Sequence, residues 1–195
     1  WEHEKREEFL ADKKYDIFVF EQKNGKWEST NVTNTPMVSD YQAVIKSDSK
    51  GNLHVFYLSR LESKNNKLFL FYTGRINGTW TPQTCLTISK QGNAGESRPA
   101  VAIDSKDNIH VVVSDDNGRL IYLEKDSTGW KPFEFITVTT DSINWYPSIA
   151  LDKFDSLHMI YLAGNDPNYS IKYICKIDNH WTKPELVVDS TWKCW

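Results

Sequence analysis

The chain is poor in cysteine, has no long apolar run and carries almost no net charge, and each shortage removes a class of protein. Cys85, Cys175 and Cys194 are the three cysteines among 195 residues. Their number is odd and no C-x-x-C spacing occurs, so at least one stays unpaired within the chain. Neither a disulfide framework nor a cysteine-built zinc site is expected. No apolar run approaches the roughly 20 residues of a membrane-spanning helix, so no membrane insertion is expected. A net charge of −3 leaves no basic footprint for a nucleic-acid partner. The chain opens at Trp1 with "WEHEKREEFLADKK", which lacks the apolar core of a signal peptide. Either a targeting segment has been removed or the chain is a piece of a longer protein.

Aromatic side chains, in contrast, make up 13% of the residues, and they recur at fixed spacing. Internal repetition decides architecture before any other pattern does. "NGKW", "NGTW", "STGW" and "DNHW" end at Trp27, Trp80, Trp130 and Trp181, at intervals of 53, 50 and 51 residues. Eight residues before these tryptophans stand Val19, Tyr72, Tyr122 and Tyr173, and ten before stand Ile17, Leu70, Leu120 and Ile171. A second phrase, "DSKGNLHVFY" from Asp48, returns as "DSKDNIHVVV" from Asp104 and "DKFDSLHMIY" from Asp152.

Each full copy reads as four short strands separated by turn signals, which argues for an all-β protein. The second and third strands are apolar on both alternating sets. Ile109, Val111 and Val113 share one face, and Val112 lies with His110 on the other. Sheets buried on both faces fit blades stacked against neighbouring blades better than a sandwich with one wet face. The fourth strands are more polar and carry Pro82, Pro132 and Pro184. Proline belongs on an edge, where no ladder hydrogen bond is lost. The expected fold is therefore a β-propeller of four-stranded antiparallel blades.

"PAVAID" and "PSIALD", the following N-[LI]-H, then L-x-Y and the turn tryptophan, resemble the sialidase-like propellers built of short Asp-box-type (BNR) repeats. The likeness runs from about Tyr15 onward. The stretch nearest an Asp-box, "TGRINGTW", keeps Thr73, Thr79 and Trp80 but has Arg75 and Asn77 in place of the aspartate and glycine. The resemblance implies a six- or seven-bladed ring and carbohydrate-directed work.

The expected division is a charged segment at 1–14, the outer two strands of a blade at 15–35, blades at 36–88, 89–140 and 141–189, and the start of a further blade at 190–195. That is about three and a half blades. A closed propeller needs at least four, so further blades, from the same longer protein or another chain, are expected partners.

The repeated His54, His110 and His158 fall in different blades. Shared ligation of one ion would need them to converge to about 2 Å from it. Each is instead expected to pack between blades and bond a neighbouring turn or the repeated aspartate, with Asp48, Asp104 and Asp152 capping their own turns. Neither a metal nor a cofactor is expected. The copies diverge at the start of each inner strand, where propellers place their sites: Asp40, Tyr41 and Gln42; Glu96, Ser97 and Arg98; Asn144, Trp145 and Tyr146. Aromatics beside carboxylates, amides and an arginine suit a glycan or protein ligand. Asp40, Tyr41, Gln42, Glu96, Arg98, Asn144, Trp145 and Tyr146 are the candidate ligand-binding residues of a non-catalytic module. The alternatives are a glycoside hydrolase, with Asp40 and Glu96 as an acid pair and other catalytic groups outside this chain, and an assembly propeller. Of the arginines, only Arg98 is expected near an inner-strand start, with Arg60, Arg75 and Arg119 elsewhere. An extracellular or envelope location is expected.

Overall fold

The computed structural model describes residues 15–35, 38–61, 67–87, 97–136, 143–165 and 167–189. β1 (Phe18–Lys23) and β2 (Lys26–Asn31) make a two-stranded antiparallel sheet. The second sheet holds β3 (Ser39–Ser47), β4 (Leu53–Leu61), β5 (Lys67–Ile76), β6 (Thr79–Trp80) and β7 (Thr84–Cys85). The third holds β8 (Ala100–Ile103), β9 (Ile109–Ser114), β10 (Leu120–Asp126), β11 (Gly129–Trp130) and β12 (Glu134–Ile136). The fourth holds β13 (Ile143–Leu151), β14 (Leu157–Asn165), β15 (Asn168–Ile177), β16 (His180–Trp181) and β17 (Glu185–Val188). In each large sheet the first three strands pair in sequence order, and the last two short strands both pair with the third. Among the described residues there is no helix. The fold is a β-propeller segment of four-stranded antiparallel blades.

The outer strand departs from the sequence expectation. It is not continuous: Pro82, Pro132 and Pro184 interrupt it. The residue after each tryptophan still donates its N–H to the third strand, Thr81 to Gly74 O at 2.7 Å, Lys131 to Glu124 O at 2.8 Å and Thr182 to Cys175 O at 2.8 Å. Proline has no N–H with which to extend the ladder, so pairing stops there and resumes one or two residues later.

Three apolar clusters fill the three spaces between the four sheets. Val19, Val55 and Tyr57, with Trp80 packed against them, join the first sheet to the second. Phe56, Leu58, Leu70 and Tyr72 meet Ile109, Val111, Val113, Ile121 and Leu123 between the second and third. Val112, Leu120 and Tyr122 meet Leu157, Met159, Tyr161 and Ile174 between the third and fourth. Along β4 the side chains alternate between neighbours, Val55 and Tyr57 toward one sheet, Phe56 and Leu58 toward the other, all at most 1% exposed. Each such residue adds about 1.5–3 kcal/mol by leaving water. The first strands of successive sheets touch, β3 against β8 and β8 against β13, which places them innermost.

Aromatic contacts recur across these spaces. The Trp130 ring meets Tyr72 of the preceding sheet edge-on at 5.4 Å, and Trp181 meets Tyr122 at 5.5 Å. Much of the aromatic excess is thus mortar between blades.

Candidate functional site

Each large sheet has two ends. At one, the turn from first to second strand carries the repeated aspartate and histidine. Asp48 Oδ1 accepts from the N–H groups of Lys50 (3.0 Å) and Asn52 (2.8 Å), and Oδ2 from Asn52 Nδ2 (2.8 Å). Asp104 repeats this with Lys106 and Asn108, and Asp152 with Phe154 and Ser156. Nε2 of His54, His110 and His158 approaches its own aspartate at 3.4, 3.5 and 3.4 Å. Nδ1 of the same rings bonds the hydroxyl of Tyr72 (3.0 Å), Tyr122 (2.7 Å) or Tyr173 (2.7 Å). One of these three histidines sits in each large sheet. The bond expected to the aspartate forms at His54, whereas His110 and His158 only lie near theirs, and all three rings bond a tyrosine on the third strand. Burial pushes the His54 imidazole down from its ordinary pKa while Asp48 pulls it up, and burial wins. Burial works against ionisation of Asp48, yet the bonds from Asn52, His54 and Lys50 keep its carboxyl below the usual range. Burial also pushes the Tyr72 phenol up to about 12.

Two grooves of about 500 and 570 Å³ lie between successive sheets at this end. Their polar lining is largely spent within the protein. Besides the Asp–His–Tyr chains, Asp107 accepts from Ser49 N (2.8 Å) and Oγ (2.7 Å), and Asp155 from Ser105 N (3.0 Å) and Oγ. Lys176 lies 3.9 Å from the Tyr122 ring centroid and pairs with Glu134 at 3.0 Å. These depressions are seams more than receptors.

The opposite end carries the starts of β3, β8 and β13. Counted from Asp48, Asp104 and Asp152, the triplets Asp40–Tyr41–Gln42, Glu96–Ser97–Arg98 and Asn144–Trp145–Tyr146 occupy equivalent positions. The pairing of β3 with β4 slips between Tyr41 and Val44, and that of β13 with β14 between Trp145 and Ser148. A bulge therefore recurs at the same place. It puts Gln42 (φ 55°) and Tyr146 (φ 51°) in the left-handed region, which is costly for a side chain as bulky as tyrosine. Bulges of this kind re-aim a side chain, and here Gln42, Arg98 and Tyr146 are all exposed, Tyr146 at 66%. Trp145 is half-buried, with its ring 6.4 Å from that of Tyr146.

The first members of the triplets lie inward. Asp40 is 2% exposed; its N–H donates to Tyr15 O at 2.7 Å and its Oδ2 accepts from Thr35 Oγ1 at 2.5 Å. Asn144 is likewise 2% exposed and donates from N and Nδ2 to Gly118 O at 2.8 and 3.0 Å. Both tie an inner strand to the preceding sheet or its flanking segment. Ser97 is fully buried against Ser114. Glu96 lies outside the described residues. The exposed surface at this end is therefore narrower than the sequence implied, and rests on Tyr41, Gln42, Arg98, Trp145 and Tyr146.

Arg60 was misplaced by sequence reasoning. It pairs with Ser39 across β3 and β4, and its Nε donates to Tyr41 Oη at 2.6 Å, so it stands at an inner-strand start. Arg119 is at this end as well, beside the Gly118 carbonyl that holds Asn144, with its guanidinium on the buried Asp115 carboxylate at 2.7 Å. Among the arginines of the described residues, only Arg75, paired with Glu21, lies at the other end. The missed signal is hairpin arithmetic: in an antiparallel meander the end of the second strand returns beside the start of the first. Two tyrosines and a tryptophan, an amide and two arginines can stack on a flat face and hydrogen-bond oxygens around its rim. Among the described residues no three His, Cys, Asp or Glu side chains come together to hold an ion.

No protein-family model and no curated protein matches this chain. Its fold is similar to that of a protein of unknown function from Dyadobacter fermentans DSM 18053, with a TM-score of 0.67 at 13% identity, covering 88% of this chain and 58% of that one. It is also similar to ulvan lyase, a polysaccharide lyase of family PL25, with a TM-score of 0.58 at 15% identity, covering 85% of this chain and 47% of that one. The chain spans about half the length of these two structures. At such identities the likeness is one of fold.

Proposed function

We propose that this chain is a non-catalytic recognition segment of a β-propeller that binds a carbohydrate on the face holding the inner-strand starts. The observation that carries the reading is the recurrent bulge. It holds Tyr146 outward, 66% exposed, beside Trp145 in a backbone conformation that packing alone does not reward. The exposed Tyr146 ring, with the half-buried Trp145 beside it, stacks on the C–H face of a pyranose, and Gln42, Arg98 and Arg60 supply rim donors. The ulvan lyase neighbour, solved with a GlcA(1-4)Rha3S saccharide, gives a precedent for sugar handling on this fold. A sialidase-like origin agrees with the repeat type, and a glycan-facing role with an extracellular or envelope location.

The test is a glycan array with wild type, Trp145→Ala and Tyr146→Ala, alongside a fluorogenic glycosidase panel. Saccharide binding without turnover, lost in both variants while the melting temperature of Tyr146→Ala stays put, is the expected result. Turnover in the wild type would favour the hydrolase reading. Binding insensitive to both substitutions would remove the site from this face.

A further inference from the structure

Among the described residues, the buried carboxylates are compensated at every place but one. Asp115, fully buried, accepts from the N–H groups of Asn117 (3.0 Å) and Arg119 (2.6 Å), and the Arg119 guanidinium closes on its Oδ2 at 2.7 Å. Asp48 and Asp104 each take three N–H bonds from their own turns. Asp40 is the exception. It is 2% exposed, its Oδ2 receives one hydroxyl, from Thr35 at 2.5 Å, and its Oδ1 has no hydrogen-bond partner.

A second carboxylate stands beside it. Thr35 Oγ1 also lies 3.3 Å from Asp16 Oδ1, so one hydroxyl, with a single hydrogen, faces two carboxylates. Asp16 Oδ1 accepts from Thr35 N (3.0 Å) and Thr33 Oγ1 (3.1 Å), and its Oδ2 from Asn31 Nδ2 (2.6 Å). Burial works against ionisation of Asp16, yet the bonds from Thr35, Asn31 and Thr33 hold its carboxyl below the usual range. It is therefore charged at neutral pH. Neither Asp16 nor Asp40 pairs with a Lys, Arg or His side chain among the described residues. Buried charges in proteins are either paired or bound to a metal, and two like charges so close repel.

We propose that Asp16, Thr35 and Asp40 form a Ca2+ site, with Asp40 Oδ1 and Thr35 Oγ1 as direct ligands, Asp16 supplying the second negative charge and water completing the shell. The ligand atoms are all oxygens, which suits a hard cation. Oxygens that share an ion at about 2.4 Å stand about 3 Å apart, and Thr35 Oγ1 lies 2.5 and 3.3 Å from the two carboxylates. Asp16 and Thr35 are half-buried, which leaves the ion a way in. Ca2+ accepts about six to eight oxygens in loose geometry, whereas Mg2+ needs a near-ideal octahedron, so an irregular set favours Ca2+. At the equivalent place on β13 stands Asn144, an uncharged side chain that donates to Gly118 O, and no such site recurs there. The ion braces the start of β3, and with it Tyr41, against the segments around Asp16 and Thr35, whether or not the face beyond binds a sugar.

The experiment is a calorimetric titration of the chelator-stripped chain with CaCl2, and in parallel with MgCl2, followed by thermal melts. Expected is a single bound Ca2+ and a rise in melting temperature of about 5 °C at saturation. Asp40→Asn keeps an acceptor for the Thr35 hydroxyl and removes one of two like charges. That variant should melt no lower than the stripped wild type, yet lose both the titration heat and the Ca2+ shift. Asp16→Asn, which lowers the charge of the site, should weaken Ca2+ binding at least about tenfold. No response to Ca2+, an equal response to MgCl2, or a Ca2+ response that survives Asp40→Asn overturns the proposal.

Discussion

The two ends of the sheets use polar side chains in opposite ways. At the Asp–His end the copies agree, and their polar groups bond one another: aspartate to its own turn, histidine to tyrosine, serine to the next sheet's aspartate. At the inner-strand end the copies disagree; some polar groups are buried as ties, while Gln42, Arg98 and Tyr146 are turned outward. Repetition here marks cohesion and divergence marks exposure. A residue that recurs in every blade is fixed by contacts that recur in every blade, whereas a position free to vary is one the scaffold does not need.

If that contrast is right, the largest effect should come from deleting a repeated group. His54→Ala leaves the Asp48 carboxylate and the Tyr72 hydroxyl without their shared partner in a site only 4% exposed. A loss of about 2–3 kcal/mol is expected, read as a fall of about 5–10 °C in melting temperature. An equal loss on Tyr146→Ala would break the contrast.

A smaller effect should follow acidification. Burial holds the folded-state pKa of His54 below 6.5. The unfolded chain therefore takes up a proton on this group first as the pH falls. Stability should be full above about pH 6.5 and decline below it, and the depressed Asp48 carboxyl should add a further loss below its ordinary 3.8. Thermal melts from neutral to acid pH check this. A His54→Gln variant should flatten the upper part of the decline, and an unchanged profile would assign it to other groups.

The smallest effect is expected at the rim of the same end. Asp107 holds a left-handed backbone (φ 65°) where the preceding copy has Gly51 (φ 76°), and its carboxylate bonds Ser49 in the open. Asp107→Gly gives up exposed bonds but relieves the backbone, so the melting temperature should not move measurably. A clear drop would mean that the serine–aspartate ties hold the blades together as firmly as the buried chains do.

The blade architecture was legible because its cause is periodic. Alternating apolar runs, turn tryptophans and prolines follow from burial on both faces of every sheet, and Val112 facing away from Val111 could be read directly. The aspartate–histidine contact was legible too, since both residues flank one turn. Its extension to Tyr72 was not, because that bond crosses to another strand and depends on register. Site residues were legible only as a region. Asp40 and Asn144 looked like recognition groups because the copies differ there, but difference in sequence does not report burial. Arg60 was overlooked because distance along the chain hid a neighbour across β3 and β4.

The split outer strand has a bearing on solution behaviour. A sheet edge with a continuous row of N–H and C=O groups is a template on which foreign strands add. Here the rim strands are fragments of two to four residues on either side of Pro82, Pro132 and Pro184. Even with Leu186 and Val187 exposed on that margin, at 61% and 56%, no long ladder is offered for fibril-like growth. The prolines act as gatekeepers: they steer any sticking of these molecules away from the strand edges and onto the faces.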